Sequence, residues 1–490
     1  LIAAAGVAVF TYDSFSSVDA LDFRSSFLNG VLRSSRAFFT ITWCVADYKY
    51  SVRNLQADSD QYAAALSEIH LRLAGRILKL CDANRGFYVK AGQFVSSMRQ
   101  VPKEYSSTLS YLQDQALPYD FKTISGVVAR SLGKDTTEIF FSFDEQPIAA
   151  ASIAQVHRAL LKNNQEVAVK VQYPGLENQM KFDLATMGFF SNIISWLIPE
   201  YNLEWMVSEF TKSITSELDF IQEAKNSERA AHNFRKNKMV TIPRIYWDAT
   251  SSQVLTMQFC EGQKIDDIGY LRQKGISPFE VAKALVDMFS EMIFVHGFLH
   301  GDPHPGNILV SPQGPDAFSL VLLDHGIYRE LSEEFRMNYC RLWEALILLD
   351  SQKIQRLGET FGVGKYAQFL PVIFTGRTID SKSVLGGGRT PEEQKRLKEE
   401  MKSVNLEDVF SFMGSLSPDF LAVLRSHGML RSLVSKLGAP KRIQLLGYSE
   451  YAVRGLYAAN PRAESGSAIA VTMSRVKAGI KYFKLMILLG

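Results

Sequence analysis

The stretch His300-Gly301-Asp302-Pro303-His304-Pro305-Gly306-Asn307, HGDPHPGN, decides how the rest of the chain is read. It follows the apolar segment MFSEMIFVHGFL (residues 288–299), and further on the run Val321-Leu322-Leu323 ends in Asp324-His325-Gly326. Moving a phosphoryl group from a nucleotide needs a carboxylate to orient or deprotonate the acceptor, and oxygen ligands for magnesium. Asp302 fits the first role; Asn307 and Asp324 fit the second. The spacing D-x-x-x-x-N places Asp and Asn on one short loop, as in a kinase catalytic loop, and an Asp closing a hydrophobic strand completes the metal pair. Magnesium favours few carboxylates together with phosphate oxygens and water. An ordinary Asp-Pro and Pro-Gly turn is the plain alternative for HGDPHPGN taken alone. Asp324 and the motifs upstream outweigh it.

Composition narrows the class. The chain has 490 residues, 47% hydrophobic and 21% charged, with a formal net charge of +3. That is a folded protein with room for two or three structural units. The small charge argues against a nucleic-acid binder resting on a broad basic surface. Cys44, Cys81, Cys260 and Cys340 are scattered without a C-x-x-C pair, so neither a zinc site nor a disulfide framework is expected, and a reducing compartment fits. His296, His300 and His304 recur every fourth residue, but Gly297, Gly301, Pro303 and Pro305 break any shared helical face. They read as loop histidines that hold the turn and not as metal ligands.

Upstream of this loop the pattern is that of a kinase small lobe. IFFSF, SIAQVHRALL and EVAVKVQ are short β-prone runs separated by polar breaks such as Lys162-Asn163-Asn164-Gln165. VAVK resembles the strand whose lysine meets nucleotide phosphates, which makes Lys170 the candidate. The phosphate-covering loop ahead of it, Ala149-Ala150-Ala151-Ser152-Ile153-Ala154, contains no glycine. Alanine keeps its Cβ, so the loop is expected to be stiff and to hold the nucleotide differently from a glycine-rich turn. Residues 175–236 read as largely helical with a break at Pro199. SELDFIQEAKNSERA reads as one acid-rich helix in which Asp219 and Glu223 share a face and Glu217 points elsewhere. A kinase needs a helix glutamate for its strand lysine, and this is the helix available. PRIYWDATSSQVLTMQFCEG reads as a β-hairpin turning at residues 249–252 and leading into a linker at 258–262. In a kinase that linker, with Gln258 and Cys260, meets adenine through its backbone.

Farther out, 62–80 and FYVKAGQFVSSM carry helical periodicity, and Lys90 and Gln93 share a face of the second helix. Beyond Asp324 the chain reads as all helical, with Gly386-Gly387-Gly388 a flexible loop and no A-P-E triplet to anchor a peptide-binding segment. Gly301 stands where protein kinases carry an arginine before the catalytic Asp. Two apolar stretches keep two readings each. Residues 1–10, LIAAAGVAVF, are the tail of an anchor or targeting segment, or a packed helix. Near the end, Lys477, Lys481 and Lys484 on one face with Val476, Ile480, Phe483 and Ile487 on another form a basic amphipathic helix, for a membrane surface or for packing onto the domain.

Taken in order, Lys90-Ala91-Gly92-Gln93, AAASIAQVH, VAVKVQ, Glu217-Leu218-Asp219 with Glu223, HGDPHPGN and LLDHG form a set. It resembles the aarF-domain-containing (UbiB-type) atypical kinase family, and most the subfamily whose magnesium motif reads Asp-His-Gly. The resemblance covers residues 75–448. It implies an α+β, two-lobed protein-kinase-like fold with a helical N-terminal extension and an enlarged, mainly helical C-lobe. The expected layout is 1–60 as an N-terminal segment, 61–130 as the helical extension, 131–262 as the N-lobe with a helical insertion, 263–460 as the C-lobe and 461–490 as the terminal amphipathic helix. The resemblance further implies that Lys170 pairs with Glu223 and touches nucleotide phosphates, with Ala149, Ala150, Ala151 and Ser152 above them. Asn307 and Asp324 bind Mg2+, and Asp302 occupies the catalytic-base position. Glu217 and Asp219 meet the helix of Lys90 and Gln93, which covers the site and regulates access. The implied ligands are ATP or ADP with Mg2+, and the implied client is a membrane lipid or isoprenoid-quinone intermediate at a mitochondrial, or alternatively plastid, membrane. ATP hydrolysis is implied more than protein phosphorylation. A nucleotide-gated pseudokinase scaffold and a small-molecule kinase of the HGD type are the competing readings. His325, in place of the commoner Phe, is the family departure that bears on switching.

Overall fold

The computed structural model describes residues 20–53, 60–98, 101–114, 118–198, 203–314, 317–376 and 416–458, with scattered positions between 392–412 and 472–483. The apolar run 1–10, the triple glycine and most of the segment 391–402 lie outside the described residues. The chain divides into two compact units. The first holds residues 1–221 and 246–258; the second holds 222–245 and 259–490. Residues 222–245, grouped with the N-lobe in the sequence reading, thus cluster with the second unit.

The first unit opens with helices: α1 (Ala20–Val52), α2 (Asp60–Asn84), α3 (Phe87–Ser97), α4 (Lys103–Leu109) and α5 (Phe121–Leu132). The weakly periodic N-terminal stretch is one helix of 33 residues. Its buried residues Ala37, Cys44 and Tyr48 recur at seven- and four-residue spacing and pack on α2 and the helices beyond it. Helix α5 starts on the Asp120 side chain, which accepts from the Thr123 N–H at 3.0 Å, and stops at Gly133 in the left-handed region. A five-stranded antiparallel sheet follows, of β1 (Phe140–Phe143), β2 (Ala149–Ala150), β3 (Ala154–Leu161) and β4 (Glu166–Gln172), closed by β6 (Val254–Gln258). Strand β4 is central, pairing with β3 and β6, and its Val167, Val169 and Val171 are fully buried. That burial is why a near-continuous valine run forms here. Helices α6 (Leu176–Leu197) and α7 (Glu204–Glu217) complete the unit.

Helix α8 (Phe220–Phe234) carries the chain into the second unit. Its sheet is β5 (Val240–Thr241), β10 (Phe318–Leu322), β9 (Ile308–Pro312) and β7 (Gln263–Lys264), in that order. A separate ribbon joins β8 (Phe298–His300) to β11 (Tyr328–Glu330). Helix α9 (Pro278–Ser290) begins with Ser277 as its cap and Pro278 at its first position, then widens into a π-helical turn, Glu291–His296, before β8. Helices α10 (Glu333–Leu348), α11 (Ser351–Thr360), α12 (Pro418–Lys436) and α13 (Arg442–Ala458) surround an aromatic core of Phe294, Tyr339, Trp343, Phe420 and Tyr448. Each such fully buried ring contributes about 2–3 kcal/mol by area. Arg336, itself buried, donates to the Phe294 carbonyl and so fixes the π turn.

Three expectations change. The acid-rich helix is split, because the Gln172 amide donates to the Leu218 carbonyl at 2.7 Å while the Asp219 side chain accepts from the Ile221 N–H at 3.0 Å. Glu217 therefore ends α7, and Asp219 precedes α8 and shares no helix face with Glu223. The hairpin of residues 243–262 has one strand, β6; residues 246–250 run beside it, the Tyr246 N–H donating to the Thr256 carbonyl at 2.9 Å, without forming a second. Beyond Asp324 the chain is not all helical, because Tyr328–Glu330 pairs with Phe298–His300.

Candidate functional site

In the second unit the loop HGDPHPGN is built from hydrogen bonds between its own members. The His300 Nδ1 accepts from the Asp302 N–H at 3.2 Å, so its Nε2 carries the hydrogen and donates to the Asp324 carbonyl. One imidazole thereby ties the backbones of both aspartates. Burial pushes the His300 pKa below its ordinary value, against the opposing pull of the Asp324 carbonyl, and the ring stays neutral as this geometry requires. His304 acts similarly at smaller scale, its Nδ1 accepting from the Gly306 N–H at 3.1 Å. His296, the third of the series, lies on the π turn, 3.2 Å from Glu291.

Asn307 sits at the head of β9, and its Nδ2 donates to the Asp302 carbonyl at 3.2 Å and to Asp302 Oδ2 at 3.3 Å. Both partners can only accept, which fixes the amide with its nitrogen toward Asp302 and its oxygen away. The Leu323 N–H donates to the Asn307 carbonyl at 3.0 Å, so Asp324 follows directly beside Asn307. The Asp324 Oδ1 accepts from the Gly326 N–H at 3.0 Å. One amide oxygen and one carboxylate form the lean oxygen set that suits magnesium beside phosphate oxygens. Among the described residues no group of three or more His, Cys, Asp or Glu side chains could hold a metal ion.

His325 is buried behind these groups. Its Nε2 faces the Leu322 carbonyl at 3.1 Å and must donate, so its Nδ1 accepts from the Tyr328 hydroxyl at 3.0 Å. The two rings lie stacked, 5.8 Å between centroids. Asn226 of α8 donates to the His325 carbonyl at 3.0 Å. Glu223, on the same helix and only 1% exposed, belongs to this unit. Gly301 is tightly enclosed: a Cβ there would lie 2.5 Å from Ile327 Cγ2.

The first unit carries the remaining candidates. Lys170 lies on β4 opposite Val156 and Leu255, with its Nζ 5.0 Å from the centroid of the buried Phe220 ring. Ala149 and Ala150 form strand β2, and the Ala151 N–H donates to the Ala154 carbonyl at 2.8 Å around Ser152-Ile153. No residue of this turn has positive φ, which is why alanine serves without glycine. The Ser152 hydroxyl is buried without a hydrogen-bond partner. Gln155 bridges outward, accepting from the Tyr119 N–H at 2.7 Å and donating to the Tyr119 carbonyl at 3.2 Å. Lys90 of α3 makes an ion pair with Glu217 at 2.7 Å, and the Gln93 amide donates to the Leu112 carbonyl at 2.9 Å. Between them Gly92 allows close approach, since a Cβ would lie 2.3 Å from Leu112 Cδ1. Gln258 ends β6 in the first unit, and Cys260 follows in the second, its thiol pushed up to about 11 by burial.

The sequence reading did not single out His300 as a bridge, nor Asn226, Tyr328, Phe220 or Gln155. Asn226 was open to detection, three residues after Glu223 on the same helix face. Tyr328, Phe220 and Gln155 act through contacts that no local spacing reveals.

Comparison with known proteins shows the family of the chain and a likeness of fold. Residues 111–358 match the model of the ABC1 atypical kinase-like domain. The chain is similar to the AarF domain-containing protein kinase 1 of Xenopus tropicalis, at 36% identity over 436 residues, 87% of this chain and 82% of that protein. To its Mus musculus counterpart it is 34% identical over 471 residues, 95% of this chain and 88% of that one. Among solved structures, Rv3197 of Mycobacterium tuberculosis, determined with erythromycin, superposes with a TM-score of 0.50 at 22% identity over 80% of this chain and 99% of that one, a likeness of fold.

Proposed function

We propose a function from one premise: the chain belongs to the ABC1 (AarF) atypical kinase-like family. The reading is an atypical kinase or ATPase that binds ATP or ADP with Mg2+ and acts on a membrane lipid or isoprenoid-quinone intermediate. The observation that carries it is the neutral His300 ring, which holds the Asp302 amide and the Asp324 carbonyl at once. Asp302 then faces an acceptor hydroxyl or water with its orientation set, takes its proton, and the acceptor oxygen bonds to phosphorus as the bond to ADP breaks. Asn307 Oδ1 and the Asp324 carboxylate would hold magnesium, which neutralises phosphate charge when bound. Lys170 is assigned to the nucleotide phosphates, and the partnerless Ser152 hydroxyl to a phosphate oxygen. Gln258 and Cys260 are assigned to adenine through their backbone.

The membrane half is supported near the C-terminus. Met473, Val476, Ile480 and Phe483 are helical, recur at three- and four-residue spacing, and are all exposed. The proposed compartment, the mitochondrion, follows from the family resemblance. The test is phosphate release by purified protein, with and without lipid vesicles, for wild type and Asp324→Asn. Loss of turnover in the variant is expected; equal rates would remove the catalytic assignment.

A second reading, a nucleotide-gated scaffold without turnover, is favoured by the Ala151 N–H, which is already engaged by Ala154 and so is withdrawn from any phosphate cradle. Tight nucleotide binding with no phosphate release, combined with nucleotide-dependent partner affinity, would select it.

A further inference from the structure

Helix α1 is apolar on both sides. Ala37, Cys44 and Tyr48 point inward, and directly opposite them Leu28, Leu32, Phe39, Trp43 and Tyr50 point out, at 67%, 49%, 72%, 64% and 65% exposure. At 100° per residue these five fall within about 60° of arc, and they extend ~33 Å along the helix. A stripe of that length is not scattered surface hydrophobicity.

The surroundings specify what would cover it. Exposed Arg36 and Lys49 flank the stripe, and the Arg53 guanidinium sits 3.7 Å over the Tyr50 ring. The Arg76 guanidinium lies 5.6 Å from the Trp43 ring. The one acid of residues 28–53, Asp47, is already engaged by Arg72 at 3.1 Å and Arg76 at 2.6 Å. Beside Trp43, Asp47 and the exposed Glu68 offset Arg72 and Arg76, so the net positive charge of this face comes from Arg36, Lys49 and Arg53. Trp and Tyr mixed with Arg and Lys are the side chains that settle where headgroups meet acyl chains. Among the described residues no helix is long and apolar enough to cross a membrane, so α1 would lie along the surface.

We propose that the outward face of α1 docks onto an anionic bilayer, with Leu28, Leu32, Phe39, Trp43 and Tyr50 at the acyl boundary and Arg36, Lys49 and Arg53 among lipid phosphates. The proposal rests on the membrane half of the function above and is independent of its nucleotide half. The experiment is flotation of the full chain with vesicles of phosphatidylcholine, alone or mixed with phosphatidylglycerol. Wild type is expected to float with the mixed vesicles, and Phe39→Ser/Trp43→Ser to bind at least about tenfold more weakly at unchanged melting temperature. Brominated lipid in those vesicles should quench part of the wild-type tryptophan emission. Trp43→Phe should lose that quenching yet still float, a readout independent of whether the double variant folds. Equal flotation of wild type and double variant overturns docking through α1 while leaving the membrane reading intact. Wild type that never floats overturns both. A wild-type dimer that the double variant converts to monomer, with flotation unchanged, shows a self-interface and also overturns the proposal.

Discussion

The second unit fixes its chemical groups through the backbone, whereas the first fixes them through side chains from distant segments. Asp302, Asn307 and Asp324 are joined by amides, carbonyls and one imidazole within two short loops. Lys90 depends on Glu217, and Lys170 lies against Phe220; both partners come from helices well separated in sequence. A cluster held by its own main chain is preorganised and costs little to hold ready. One held by packing and an ion pair is adjustable, which suits residues that admit or cover a ligand. The difference teaches that the two groups of residues are held by independent contacts, so each can be disturbed without the other.

The sharpest way to break the comparison is at Asp302. Asp302→Asn should lower phosphate release by ~10³-fold with nucleotide binding retained, measured by single-turnover kinetics and calorimetry. A loss of binding instead would mean that the second unit is not preorganised. Next, His325→Phe would orphan both the Leu322 carbonyl and the Tyr328 hydroxyl and should destabilise the protein by about 3 kcal/mol in urea melts. A neutral result would show that the backbone scaffold does not need its imidazoles.

A smaller effect follows from pH. Burial holds the His300 pKa below its ordinary 6.5, so as pH falls the unfolded chain takes up the proton first. Stability from this group is fully present above about pH 6.5 and is lost as the pH drops below it, at most ~1.4 kcal/mol per pH unit. His70 and His157 shift in the same direction, so the test is a shallower acid slope in His300→Asn than in wild type. In the first unit, a double-mutant cycle of Lys90→Met and Glu217→Gln should give a coupling of about 1 kcal/mol, with turnover in water little changed. The smallest effect belongs to Ala151→Gly, which restores backbone freedom to a turn with no positive φ and should shift the ATP-to-ADP preference only a few-fold, worth under ~1 kcal/mol. Identical affinities for both nucleotides would mean that the turn does not discriminate between them.

What the sequence revealed follows the same division. The loop HGDPHPGN, the strand VAVKVQ and Asp324 were legible because spacing and hydrophobic pattern are local, and the second unit builds its cluster locally. The break at Leu218-Asp219 was not, since helical composition runs through it and it is made by Gln172, from a different strand. Strand β5 escaped for a similar reason: it is two residues long and pairs in parallel with β10, far along the chain. Tyr328-Arg329-Glu330 has no alternation to mark it as a strand, and only pairing with Phe298-Leu299-His300 makes it one. The need for glycine at 92 depends on Leu112, which no motif contains.

Gly301 and Ile327 together limit what position 301 can hold. Its N–H donates to the Ile327 carbonyl at 2.9 Å, and any Cβ added there would lie 2.5 Å from the Ile327 side chain. An arginine, the residue ordinary protein kinases carry at this point, therefore cannot arrive by a single tolerated substitution. Ile327 would have to shrink first, a change with no evident benefit of its own. The two positions are therefore constrained together: a side chain at 301 and the present Ile327 side chain exclude one another.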